Sequence, residues 1–422
     1  MKFTDRLRVS ARLKQLGPGL VTRAADDDPS GIATYSQAGA LFGFGLLWTM
    51  LLTYPLMCAV QLVSAHIGRV TGKGLASNMA AAIPRPLVLG LVLLLFIANT
   101  INIAADLAMM GDVARLVTGV PPHWMTILFA ILSLGLQLFV PYPRYASFLK
   151  WLTLSLFAYF AVLLLVKLNW AQVATGLFIP RIPNEAALVM IVAIFGTTIS
   201  PYLFFWQSAQ EVEEMGRHHE RPLTEDGTSA EAEFKRIGFD TLSGMAISNL
   251  VAIAIIIATA ATLHAHGKGD IQTAADAAEA LKPIAGNYAF ALFSLGIIGT
   301  GLLAVPVLAG SAAYAIGEAE GWKSGLDHKP WEAIGFYGVI VAATLLGLVI
   351  QFAGIDPIKA LFWSAVINGV VAVPIMAAMM YVAVRPAIMG ALPISRPLAI
   401  WGWLATAVMA AAVVAMALTG GF

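Results

Sequence analysis

Charge and cysteine are scarce in this sequence. Only 12% of its 422 residues are Asp, Glu, Lys or Arg, about half the share usual in a soluble domain. Those charges nearly cancel, to a net +1, so no bulk field of either sign is available to recognise nucleic acid or an acidic partner. A single cysteine, Cys58, excludes an intrachain disulfide and a cysteine metal cluster. A Walker loop, a dinucleotide fingerprint, a zinc-protease helix and a nucleophile elbow are also missing. Neither an enzyme nor an ATP-driven pump is indicated, and no cofactor is implied. The leading MKFTDRLRVSARLKQ is basic without an apolar core or a cleavage-site pattern. It reads as a retained cytoplasmic lead-in, not a signal peptide.

What fills the chain instead is apolar surface, at 59% hydrophobic residues. Measured against the roughly 20 residues needed to cross a bilayer, eleven spans are expected. They lie near 17–40, 45–67, 86–111, 124–141, 148–167, 185–210, 238–263, 288–314, 333–353, 357–381 and 396–418. The fold class expected is an all-α membrane protein forming one transmembrane domain over 1–422, in contact with lipid and with no obligatory protein partner. Lys and Arg fall on alternating sides of these spans very unevenly. Eighteen of the 25 lie on the side of the N-terminus, which by the positive-inside rule is cytoplasmic. The C-terminus is then outside, and the protein belongs in the plasma (inner) membrane. Two polar stretches, Glu211 to Arg236 and His264 to Asn287, read as solvated connectors. His218, His219, His264 and His266 within them are weak candidates for transient metal contacts.

Two spans are interrupted. The first carries Thr22 to Thr34, TRAADDDPSGIAT, with Asp26, Asp27 and Asp28 at bilayer depth, where charge is costly and usually functional. Pro29, Ser30 and Gly31 follow, residues that end or unwind a helix. Arg23 is a local charge partner for one of the aspartates. The sixth span carries Gly196, Thr197, Thr198, Ser200 and Pro201, and Pro201 frees a carbonyl near Thr197. Paired interruptions five spans apart are how repeat-built transporters make an ion site. Spans 1–5 (17–167) and 6–10 (185–381) are therefore expected to form two inverted repeats, with residues 1–16 cytoplasmic and 396–418 an extra helix.

The motifs at these breaks resemble the Nramp family of divalent metal transporters over nearly the full chain. Gly17-Pro18-Gly19, then Asp28-Pro29-Ser30-Gly31-Ile32-Ala33-Thr34, is similar to that family's GPG…DPGN-I-A-T. Gly196-Thr197-Thr198-Ile199-Ser200-Pro201-Tyr202 is similar to its G-A-T-V-M-P-H, and Asp106-Leu107-Ala108 to its D-L-A-E. The resemblance implies a LeuT-type fold with helices 1 and 6 broken, and alternating access without enzymatic chemistry. It implies metal contacts at Asp28, at position 31, at the Thr197 carbonyl and at position 200. Here the amide position is Gly31, the thioether position is Ser200, the histidine position is Tyr202 and the acid after D-L-A is Met109.

Loss of the soft thioether removes discrimination in favour of late transition metals. The oxygens that remain, with Asp27 as a further candidate and space left at Gly31, suit a partly hydrated hard cation. The pattern resembles the Nramp-related magnesium transporter branch, with weak or no proton coupling. The expected substrate is Mg²⁺, with Mn²⁺ or Fe²⁺ as the alternative and an amino acid as a weaker one. Asp26, Asp106, Tyr202, Gln207 and Asn368 are placed along the ion path or gate, with Pro29 and Pro201 as hinges. Gln210 and Glu211 neighbour the inner vestibule. Asp28 has a competing role as a helix cap.

Overall fold

The structure is a computed structural model that describes residues 28–141, 144, 149, 151–269 and 271–420. Among these residues every regular element is helical. The principal helices are α1 (Pro29–Phe42), α2 (Trp48–Thr71), α3 (Leu75–Ala82), α4 (Arg85–Thr118), α5 (Pro122–Phe139), α6 (Ala158–Leu165), α7 (Trp170–Phe178), α8 (Glu185–Thr198) and α9 (Pro201–His218). They continue as α10 (Ala230–Thr262), α11 (Ala289–Glu320), α12 (Ile334–Gln351), α13 (Pro357–Ala383) and α14 (Arg396–Leu418).

Local sequence explains the boundaries. Proline stands in the first turn of α1, α4, α5, α9, α13 and α14, where its missing N–H costs no helical bond. Gly72 and Gly119 close α2 and α4 at φ 67° and 71°, a left-handed turn that glycine takes without strain. Pro55, Pro306 and Pro374 sit inside long helices, tolerated where neighbouring helices re-satisfy the freed backbone.

Nine stretches of the described residues are long and apolar enough to span a membrane. They match the second to fourth and sixth to eleventh expected spans. The first span is described only from residue 28, and the fifth as a 3₁₀ turn (Leu152–Phe157) leading into α6. Helix α4 has 34 residues, about 51 Å at 1.5 Å each, so it outreaches the ~30 Å hydrocarbon core. The supposed connector 211–236 is mostly helix. Helix α9 runs on to His218 and α10 begins at Ala230, because Glu211, Glu214 and Glu233 find arginine partners that the spacing alone did not reveal. The connector 264–287 likewise folds into short helical turns between His264 and Tyr288. His264 and His266 turn their Nδ1 atoms to the carbonyls of Ala40 and Thr262.

The helices sort into two packed groups. Helix α2 packs on α9 and α10, and α10 also packs on α1, while α4 packs on α11 and α12. Helix α13 reaches both groups, touching α4, α1 and α8. Glycine permits backbone-to-backbone approach at the joints, as small residues do between membrane helices. A β-carbon on Gly39 would stand 2.4 Å from the Ile256 carbonyl of α10. One on Gly196 would stand 1.9 Å from the Ala365 carbonyl of α13. Ser64 of α2 also donates to the Phe204 carbonyl of α9.

Candidate functional site

The start of α1 meets the gap between α8 and α9. Asp28 caps α1 in an extended conformation, and its Oδ1 accepts the Gly31 N–H at 2.6 Å. Its Oδ2 accepts the side-chain amide of Asn102, from α4, at 3.2 Å. The Tyr202 hydroxyl of α9 also donates to this carboxylate. Asp28 is 2% exposed, and every one of these donors is neutral. Capping and ion binding are therefore compatible, since a negative charge fixed by dipoles keeps its attraction for a cation.

On the opposite side α8 stops at Thr198 and α9 starts at Pro201. Ile199 and Ser200 leave the helical region, with ψ of 55° and 131°. Proline offers no N–H to the carbonyl four residues back, so the Thr197 oxygen loses its helical donor. The Ser200 hydroxyl replaces it, donating to the Thr197 carbonyl at 2.9 Å and the Gly196 carbonyl at 2.7 Å. With its proton committed there, the Ser200 oxygen presents lone pairs only. The Thr197 hydroxyl is buried without a hydrogen-bond partner.

That hydroxyl occupies the space next to Gly31. A β-carbon at Gly31 would lie 3.0 Å from Thr197 Oγ1 and 3.4 Å from Asp28 Oδ1. The expectation of open room at Gly31 is therefore corrected. The missing side chain is replaced by a hydroxyl from the other break together with the Tyr35 ring, whose edge would be 3.3 Å away.

Helix α4 supplies what the sequence reading did not foresee. Asn102 stands one turn before Asp106, and its carbonyl accepts from Ser364 of α13 at 2.9 Å. Ser364 lies 3.3 Å from Ser30, and both hydroxyls contact the Leu361 carbonyl. Asp28, Asn102, Ser364 and Ser30 thus join α1, α4 and α13 in one buried polar chain. Asp106 is fully buried, both its carboxylate oxygens lack partners, and it is near enough to Asp28 for the two charges to repel. The signal was available, because Asn99, Asn102 and Asp106 fall at spacings of three and four on one face of an apolar helix.

The remaining expected residues scatter around this centre. Asn368 is buried one turn beyond Ser364, its carbonyl oxygen unpartnered. Pro29 packs near α11, where a β-carbon on Gly301 would stand 3.4 Å from its ring. Gln207 donates to Glu211 at 3.2 Å, and Glu211 pairs with Arg236 of α10 at 2.8 Å. Arg236 also approaches Glu214 and Glu233, while Arg69 of α2 pairs with Glu220 and Glu233. This ionic cluster ties the C-terminal ends of α2 and α9 to the N-terminal end of α10. Gln210 lies beside it with its amide nitrogen unpartnered. Asp26, Asp27 and Arg23 lie outside the described residues. No group of three or more His, Cys, Asp or Glu gathers among the described residues in a metal-holding arrangement.

Comparison with characterised proteins gives the same outline. The family model for Nramp, natural resistance-associated macrophage protein-like, matches residues 19–419. A divalent metal cation transporter MntH from Yersinia pestis (strain Pestoides F) is 30% identical over 299 residues, covering 69% of each chain. The Eremococcus coleocola manganese transporter, solved with an aromatic bis-isothiourea substituted compound, superposes with a TM-score of 0.74 at 17% identity. That superposition covers 96% of this chain and 86% of the other. Mhp1, a nucleobase-cation-symport-1 family transporter solved in a closed conformation, shares the fold more distantly, at TM-score 0.55 and 13% identity over 96% of this chain and 92% of its own.

Proposed function

Because the chain belongs to the Nramp family, we propose that it is a membrane transporter that imports a divalent metal cation by alternating access, with Mg²⁺ as its substrate. Support comes from Asp28, a buried carboxylate held by neutral donors and faced across the two breaks by the unpartnered Thr197 hydroxyl. The contacts on offer around it are all oxygen: the Asp28 carboxylate, the Thr197 hydroxyl and carbonyl, and the Ser200 oxygen. Hard cations favour such a set, and Mg²⁺ retains several waters when protein ligands are few. Asp106, a second carboxylate with no partner of its own, makes a doubly charged ion a better counter-charge than a single one. Hinging at Pro29 and Pro201 then exposes the site to either side, while weak or absent proton coupling follows from Tyr202 and Met109 replacing titratable groups.

Mn²⁺ or Fe²⁺ with proton coupling is the second reading, and it is favoured by relatives named as manganese or divalent metal transporters. An amino-acid substrate fits poorly, since Asp28 already occupies the amide at the start of α1 that would hold a substrate carboxylate. The test is uptake into proteoliposomes with Mg²⁺, Mn²⁺, Ca²⁺ and Fe²⁺ in competition at matched concentrations. Asp28→Ala is expected to abolish divalent uptake, and unchanged uptake would remove Asp28 from the site. Preference for Mn²⁺ over Mg²⁺ in the native chain would select the second reading.

A further inference from the structure

We propose that a cavity at the cytoplasmic end of α5 binds the headgroup of an ethanolamine phospholipid. The cavity, about 270 Å³, lies between the end of α5 and the segment leading into α12, and is lined by Gln137, Phe139, Val140, His328, Lys329 and Trp331 among others. It is slightly smaller than pockets that enclose drug-sized ligands, a scale that suits a headgroup.

Its two ends carry opposite chemistry. Gln137 is 4% exposed, and its amide N–H donates to the Ser133 carbonyl at 3.1 Å. That bond fixes the amide with Oε1 turned away from Ser133, and Oε1 has no partner. A buried acceptor left unpaired is costly, so this end calls for a donor. The last carbonyls of α5 add partial negative charge around it. At the other end the Lys329 ammonium stands 5.4 Å from the Trp331 ring centre. Neighbouring charges are otherwise engaged: Asp327 pairs with Arg217 at 3.0 Å, and Glu332 approaches Lys323 and His328. The complement is a zwitterion whose cation donates N–H and whose anion is a phosphate. An ethanolamine headgroup has both. A choline headgroup has the same charges but no N–H, and glycerol has hydroxyls but no cation.

The flanks favour a lipid over a soluble phosphoethanolamine. Phe139, Trp331 and Ile334 are 83%, 69% and 74% exposed on the outside of the bundle. Aromatic and aliphatic side chains of this kind sit at the boundary between headgroups and acyl chains.

The experiment measures thermal unfolding of the delipidated full-length protein in detergent. Dioleoyl phosphatidylethanolamine, phosphatidylcholine, phosphatidylglycerol and soluble phosphoethanolamine are added separately. Phosphatidylethanolamine is expected to raise the melting temperature by several degrees and by more than any of the others. Gln137→Leu, which removes the unpaired oxygen, is expected to erase the difference between ethanolamine and choline lipids. Lys329→Ala, an exposed change that should not disturb folding, is expected to weaken the response to both. Equal responses to the two lipids in the native chain, an ethanolamine preference surviving Gln137→Leu, an undiminished response to both lipids in Lys329→Ala, or an equal response to soluble phosphoethanolamine would each overturn the proposal. A doubled mass by light scattering in the absence of lipid, lost on changing Lys329, would instead assign this face to a second copy of the chain.

Discussion

Replacing Asn102 by leucine removes one donor from the Asp28 carboxylate with little change of volume. The lost bond is 3.2 Å long and made to a charged group, a class that contributes about 1.5–3 kcal/mol. At about 1.4 kcal/mol per tenfold, full loss corresponds to roughly 10- to 150-fold weaker holding of the carboxylate in its ion-facing position. The length of the bond argues for the lower end, about tenfold. Asn102 cannot compensate by turning its amide over, because Ser364 donates to its carbonyl at 2.9 Å and is itself anchored to the Leu361 carbonyl at 2.8 Å. Calorimetric titration of the purified protein with Mg²⁺ and Mn²⁺ should show Kd rising about tenfold in Asn102→Leu. Proteoliposome uptake should show the same change in KM. Ser364→Ala, which frees the amide to rotate and removes the contact with Ser30 but leaves the Asn102 donor in place, should produce a smaller rise of the same sign. Native affinity in an Asn102→Leu protein that melts normally would refute the idea that α4 positions Asp28. A larger loss from Ser364→Ala than from Asn102→Leu would refute it equally.

Thr197→Val removes a hydroxyl that has no protein partner. It should therefore raise the melting temperature slightly, since burying an unpaired hydroxyl costs about 1–3 kcal/mol, while weakening metal binding several-fold. Weaker binding together with lower stability would point to packing, not ligation. Ser200→Met introduces a soft donor at the sixth-span break and should shift competitive uptake from Mg²⁺ towards Mn²⁺. No shift would argue that Ser200 faces away from the ion. Gly196→Ala would push a β-carbon to 1.9 Å from the Ala365 carbonyl and 2.5 Å from the Gly369 nitrogen. Overpacking against backbone costs about 1–3 kcal/mol or more, so unfolding several degrees earlier is expected, and an unchanged melt would disprove the close approach of α8 and α13.

Much of the fold was legible because it rests on one-dimensional signals. Apolar length marked the spans, and Pro201 after GTTIS marked the second break to within a residue. Asp28 was legible as a helix cap, since a carboxylate just before a proline that opens a helix can accept the freed amides, as the structure has it. Asn102 and Ser364 were not, because each is an ordinary polar residue in its own helix and gains meaning only when α4 and α13 cross at α1. The room expected at Gly31 failed for the same reason. A side chain can be read as missing from sequence, but what moves into its place comes from a helix more than 160 positions away. The continuation of α9 and α10 into the supposed connector was hidden too, since Glu211, Glu214 and Glu233 look solvated until Arg236 is placed against them.

That last cluster carries a consequence for motion. Arg236 reaches three carboxylates, Glu211, Glu214 and Glu233, and Arg69 reaches two, Glu220 and Glu233, with Glu233 common to both. Were α9 to slide against α2 and α10, either arginine would have a second carboxylate within the same cluster to move to. A lone buried ion pair would act as a bolt, because opening it strands a charge. A shared set is more like meshed teeth, in which a small displacement would exchange one contact for another and leave that end of the bundle engaged.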